Sequence, residues 1–334
     1  MSGKLALFPD SGKVCNMQPV KRLLPLLSVL ALFPTLAFAQ DYPTRPVRVL
    51  VGLGPGGGSD TVARIMTTKL TDVMGQSFVV DNRPSAGGII ACEIVAKAAP
   101  DGYTLLAMSP THVVTPSLRP NVGYDPLRDF APILLTVYTP YVLSVRNNVV
   151  AANVKELIAL AKAQKLTYAS SGIGGANHLT AELFNHMAGI RMIHVPYKSG
   201  AQANSALIAG EIHVSFTAIG GLMAHIKSGR VRALGVTSSK RSAATPDIPT
   251  IAESGVAGYE VIGWYGLGAT AKTPVAIVNK LNAAANKALP ELKERYANIG
   301  TEIAGGTSAE FAIYIKNEFD KWAKVVKISG ARTE

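Results

Sequence analysis

From residue 45 onward, short β-rich runs alternate with helical stretches, joined by Gly, Pro or Ser, and this alternation confines the chain to an α/β architecture. Residues 47–53, 78–80 and 103–107 read as strands, with helices at 61–74 and 88–98 between them. A second series follows. Strands at 141–145, 166–169, 192–195, 212–216 and 231–236 are separated by helices at 154–163, 176–187, 201–209 and 221–227. The last third begins with an aromatic strand at 259–267 and is otherwise helical. There, Thr273-Pro274 marks the start of a helix at 275–289, and Thr307 with Glu310 forms a capping box. Beyond that box Phe311, Ile315, Phe319, Trp322 and Val326 recur at helical spacing, the pattern of a core-facing stripe.

Two βα series with a returning C-terminal tail predict two lobes, residues 40–137 plus 268–334 and residues 138–267. The chain would cross between them near residues 135–141 and 262–268. Clefts at such junctions are where α/β proteins hold ligands.

Ahead of this body, Lys21 and Arg22 precede an apolar run at 23–38 that closes in Ala37-Phe38-Ala39. A signal peptide over residues 1–39, cleaved after Ala39, is expected, and with it a periplasmic location. The run is shorter than the ~20 residues of a membrane span and contains Pro25 and Pro34. Residues 1–16 lack the character of an n-region, which moves the expected start to Met17. Losing Lys4, Lys13, Lys21, Arg22 and Asp10 with the leader lowers the formal charge from +11 to +8. The remaining excess is scattered along the chain, with no block that marks a nucleic-acid partner. Of the two cysteines only Cys92 remains, which reads as a small buried helix residue.

The sharpest local signal is the strand-to-helix turn Leu53-Gly54-Pro55-Gly56-Gly57-Gly58-Ser59-Asp60. Bare amides and the positive end of a helix make such a turn an anion site. The plain reading is a tight capped turn. By letter, Gly52-x-Gly54-x-x-Gly57 with Asp81 also fits a dinucleotide fingerprint, so an NAD-dependent enzyme is the alternative from another class. Pro55 within the turn and the exported location weigh against it, and no Gly-Lys-Ser/Thr follows to make a P-loop.

A second loop, from Ser170, Ser171 and Gly172 through Gly174 and Gly175 to His178, would face the first across the cleft. The segment carrying Ser109, Thr111 and His112 would add hydroxyl donors. The six histidines include no i,i+4 pair and no cysteine partner, so no metal site and no cofactor are expected. No nucleophile elbow occurs, and catalytic residues are not predicted.

Together these segments resemble the Bug-type receptors, the substrate-binding proteins of tripartite tricarboxylate transporters. The marks are Tyr42-Pro43, Pro55–Asp60, Asn82-Arg83-Pro84 with Gly87-Gly88, Pro100-Asp101-Gly102-Tyr103, Ser170-Ser171-Gly172 with His178, Val195-Pro196-Tyr197-Lys198, Gly229-Arg230-Val231-Arg232 and Glu253-Ser254-Gly255. The resemblance implies a Venus-flytrap fold without enzymatic activity. It also implies a carboxylate held by residues 53–60, 109–112, 170–175 and His178, joined by Tyr197 and Lys198. The expected partners are a small carboxylated solute and membrane transporter subunits or, alternatively, a sensor protein. The receptor would act as a monomer. Leu53-Gly54-Pro55 stands where the family commonly has Phe-Pro-Pro, and Ser199 where it often has glycine, so the pocket mouth is expected to differ in shape.

Overall fold

The computed structural model describes residues 42–119, 121–242 and 245–329. The leader and its cleavage site lie outside these residues. The first half opens with parallel strands β1 (Val47–Val51), β2 (Phe78–Asn82) and β3 (Thr104–Met108), joined through α1 (Gly58–Met74) and α2 (Ile89–Ala96). Helix α3 (Pro110–Leu118) follows β3 directly. The second half repeats the scheme. It holds α4 (Val154–Ala163), β5 (Thr167–Ser170), α5 (Ala176–Ala188), β6 (Ile193–Pro196), α6 (Gly200–Ala209), β7 (Val214–Ala218), α7 (Met223–Lys227) and β8 (Val231–Val236), with β5 parallel to β6 and β7.

Strand β4 (Phe130–Arg146) binds the two halves together. Its residues up to Pro140 pair antiparallel with β9 (Ile262–Thr270), and from Tyr141 onward they pair with β7 and β8. The resulting order is β2-β1-β3-β9-β4-β7-β5-β6, with β8 and the short β10 (Glu302–Ile303) also on β4. Strand β4 begins eleven residues before the predicted strand at 141, because Pro132 and Pro140 read as breaks. Instead, Pro132 borders a register shift, and Pro140 sits where β4 changes partners, so its missing N–H falls where the ladder is interrupted anyway. Strand β9 pairs with β4 from its first residue, Ile262. Residues 262–264 pair with the 138–140 stretch of β4, and β9 reaches β3 from Gly266.

Two long helices close the fold. Helix α8 (Val275–Asn298) runs past Pro290, where the reading from sequence stopped it, and packs on α1. Pro274 caps it in place of the expected Thr273 side chain. Helix α9 (Ser308–Ser329) begins at the predicted capping box. Thr307 N donates to Glu310 at 2.7 Å and Glu310 N donates to Thr307 Oγ1 at 3.1 Å. Its Phe311, Ile315 and Trp322 are buried, and α9 lies on α3 and α5, so it touches helices of both halves. The indoles of Trp264 and Trp322 donate to one buried carboxylate oxygen of Glu318, at 3.1 and 2.9 Å, pinning α9 to β9. Cys92 is buried in α2, which pushes its thiol up to about 12.

Candidate functional site

Six times in this fold a parallel strand ends and a helix starts within a few residues, and four of those starts converge. The N-termini of α1, α3, α5 and α6 border one cavity of about 60 Å³. Gly57 and Gly58 come from the first, Ser109, Pro110 and Thr111 from the second, Ala176 and Asn177 from the third, and Ser199 and Gly200 from the fourth. Leu53, Gly54, Tyr141, Ser171, Thr217, Ala218 and Tyr265 complete the wall. The N-cap residues of α1, α3 and α5, which are Gly57, Ser109 and Gly175, make no side-chain capping bond to a first-turn amide; the Ser109 hydroxyl instead meets Thr111 Oγ1 at 2.8 Å. First-turn amides therefore lack the usual side-chain acceptor, and the positive ends of four helix dipoles face the same space. No Lys, Arg or His lines the cavity. Its attraction for an anion is supplied by backbone and hydroxyl donors.

The glycine turn owes its shape to Asp60, which is 3% exposed. Gly56 N donates to Asp60 Oδ2 at 3.0 Å, Asn82 Nδ2 to Oδ1 at 2.9 Å, and Arg64 Nε to the carboxylate at 3.0 Å. Asn82 Nδ2 also reaches Leu53 O at 3.2 Å. Burial opposes the charge of Asp60, but the hydrogen bonds from Arg64, Gly56 and Asn82 outweigh it and hold the carboxyl below the usual carboxylate range. Gly56 adopts φ 75°, and a Cβ on Gly58 would lie 2.4 Å from the Tyr265 hydroxyl. A Cβ on Gly57, by contrast, meets only Gly54 O at 3.4 Å. A Cβ on Gly54 would come within 3.1 Å of Ser199 Cβ, so the two halves meet here above the cavity.

The second loop is organised by neutral groups. Asn177 Oδ1 accepts from Ser171 N and Oγ at 3.2 and 2.9 Å, and His178 Nδ1 accepts from Gly174 N at 3.3 Å. Ser170 Oγ sits 2.6 Å from His194 Nε2 and 3.1 Å from Gly172 N. The rings of His178 and His194 stack at 4.1 Å, and His194 also stacks on Tyr168 at 4.9 Å. Burial lowers His178 to about 4, and burial together with His178 lowers His194 to about 3.

Of the residues singled out from sequence, Leu53, Gly54, Gly57, Gly58, Ser109, Thr111 and Ser171 line this cavity. Gly56 lines an adjoining one. Ser59 and Asp60 are buried in α1, and Pro55 is exposed on the turn. Ser170, Gly172, Gly174, Gly175 and His178 form the body of the second loop rather than its lining surface. Residues 109–112, read as a loop, belong largely to α3. His112 is 1% exposed behind the wall, with its ring against Tyr124 and Phe130, and burial lowers it to about 3. Tyr197 is half-buried, its N bonded to Ser170 O, and Lys198 is exposed outside the lining. Asn177 lies in the second loop but was not singled out, and Tyr141, Thr217, Ala218 and Tyr265 were not anticipated, since each is carried in by pairing or packing of distant segments. Ser199 was noted only as a departure at the mouth.

The second cavity, about 200 Å³, shares Gly57, Gly58, Gly200, Thr217, Ala218 and Tyr265 with the first. Its own wall includes Thr61, Thr139, Asn204, Gly220, Ile299 and Thr301. A Cβ on Gly220 would lie 1.9 Å from Ile299 O, a further close approach between the halves.

Asp81 is engaged by Arg48 at 2.6 Å and Arg83 at 3.0 Å, so it offers no free carboxylate to a ribose. Among the described residues no group of His, Cys, Asp or Glu is placed to hold a metal ion, and no helix is long and apolar enough to cross a membrane.

Two α/β halves that share a cavity at converging helix starts define a bilobed solute-binding protein. Residues 62–331 match the model of the tripartite tricarboxylate transporter family receptor, and the chain belongs to that family. It is 38% identical over 290 residues to a UPF0065 protein in the tcbD-tcbE intergenic region of Pseudomonas sp. (strain P51), covering 85% of this chain and 86% of that one. The structure of R. palustris Rpa4515 with adipate superposes with a TM-score of 0.84 at 35% identity, covering 87% of this chain and 99% of that one. The periplasmic binding protein BugD superposes with a TM-score of 0.83 at 34% identity, covering 88% and 100%. The family is one of transporter receptors and BugD is a periplasmic binding protein, so the dinucleotide-enzyme alternative is not supported, and Asp81 is already engaged.

Proposed function

We propose that this protein is an extracytoplasmic receptor that holds a small carboxylate at the four converging helix starts and delivers it to a tripartite tricarboxylate-type membrane transporter. The observation that carries the reading is the convergence itself: uncapped amides from α1, α3 and α5 around a cavity with no cationic side chain. Adipate in a relative of 35% identity supports the ligand class. The ligand contacts both halves at once, and its bridging stabilises the closed form. Residues 40–137 with 268–334 form one lobe and 138–267 the other. The change of β4 partners at Tyr141 supports this division. The leader is removed after Ala39, and the protein performs no catalysis.

The test is a thermal-shift screen of the purified protein against carboxylates, aromatic acids, amino acids and NAD(H). A ligand at a hundred times its Kd adds about 2.7 kcal/mol to stability. Stabilisation by carboxylates is the expected result; stabilisation by NAD(H) alone would overturn the reading.

A further inference from the structure

The two adjoining cavities differ in the hydrogen-bonding character of their walls. Donors dominate the first, where four helices begin. The far wall of the second is made of acceptors. Asn204, 8% exposed, donates its Nδ2 to Gly221 O at 3.2 Å, and its Oδ1 is buried with no partner. Native proteins rarely leave such an atom unmet. The hydroxyl protons of Thr301 and Thr139 are already given to Tyr296 O at 2.9 Å and Pro140 O at 3.4 Å, which leaves their oxygens as lone-pair sites. Ile299 and Thr301 follow the last turn of α8, so the negative end of that helix dipole faces the same chamber. No charged side chain lines it.

The starts of α1 and α6 border both chambers, but on the far wall a second carboxylate would meet acceptors and the negative end of α8. We propose that the ligand is a carboxylic acid whose far end carries a hydrogen-bond donor, a hydroxyl or an ammonium, and that Asn204 reads that end. This rests on the carboxylate reading given above. The first chamber fixes the acid group and the second selects what lies beyond it.

Calorimetric titration of the purified protein with matched straight-chain acids tests this. The four-carbon set is butanoate, 4-hydroxybutanoate, 4-aminobutanoate and succinate; the six-carbon set is hexanoate, 6-hydroxyhexanoate, 6-aminohexanoate and adipate. In at least one set the hydroxyl- or ammonium-ended acid should bind about tenfold tighter than the methyl-ended one, and the diacid no tighter than the methyl-ended one. Whichever of the two donors wins identifies the source. Asn204→Ala should remove most of that advantage. Asn204→Asp, which keeps an acceptor and adds charge, should favour the ammonium acid further. Tightest binding by a diacid, or equal binding within each set, overturns the inference and leaves the carboxylate reading standing. Failure of every acid to bind overturns both.

Discussion

The glycine turn at 52–60 and the loop at 170–178 do the same job in the two halves, yet they are built from opposite materials. The turn is wrapped around one ionised carboxylate, Asp60, with donors from Gly56, Arg64 and Asn82. The loop rests on a stack of uncharged imidazoles, His178, whose Nδ1 accepts from Gly174 N, and His194, whose Nε2 meets Ser170 Oγ. A binding surface of bare amides therefore does not prescribe its own support. What both supports share is that they present acceptors inward and so leave other amides free to face the cavity.

The comparison breaks most visibly at Asp60. Asp60→Ala strands Gly56 N, Asn82 and Arg64 together and should cost about 3 kcal/mol in urea unfolding, with loss of ligand affinity. Acid should next separate the two supports. The folded pKa values of His178, about 4, and His194, about 3, lie below the ~6.5 of an unfolded histidine. The unfolded state thus binds more protons as pH falls beneath ~6.5, and stability should drop by up to ~1.4 kcal/mol per unit for each ring until its folded pKa is passed. Asp60, with its pKa lowered, keeps its contribution throughout this range and loses it only beneath the usual carboxylate value. Urea curves at pH 6, 5 and 4 should show the slope, and His194→Gln should flatten it while His112 continues to contribute. Equal slopes in the wild type and His194→Gln would remove the neutral-stack account.

Smaller effects refine the picture. Gly58→Val pushes into the Tyr265 hydroxyl and should lower affinity by more than tenfold at a stability cost of about 1–3 kcal/mol, with the Tyr265→Phe background restoring part of both. Calorimetry of the four combinations measures that coupling. Ser199→Gly removes an N-cap whose Oγ accepts from Gln202 N at 3.3 Å, and should shift stability by only a few tenths of a kcal/mol.

The α/β alternation and the two strand-to-helix loops at the cavity were legible because each strand, glycine-rich turn and helix is contiguous in sequence. Prolines hid much of the rest. Pro116 lies within α3, Pro290 within α8, and Pro132 and Pro140 within β4, and each reads locally as a break that tertiary packing overrides. Tyr141, Thr217 and Tyr265 reach the cavity only through strand pairing across long separations, which no local pattern encodes. Stacking of His178 on His194 depends on β6 lying beside β5, and that adjacency is set by the whole sheet.

Strand β4 has a mechanical consequence. A single 17-residue rod threads both halves and is hydrogen-bonded along its length on each side of Pro140. Such a rod resists bending at its middle but tolerates a change of winding, since twist is the soft coordinate of a sheet. The register shifts at Pro132–Leu134, Leu135–Val137 and Leu143–Ser144 flank the point where the pairing changes hands, and they are where compliance collects. Motion of the halves then resembles a torsion bar more than a door hinge. Rotation about such a rod grows with distance from it, so a twist of β4 would carry the outer rims of the molecule farthest.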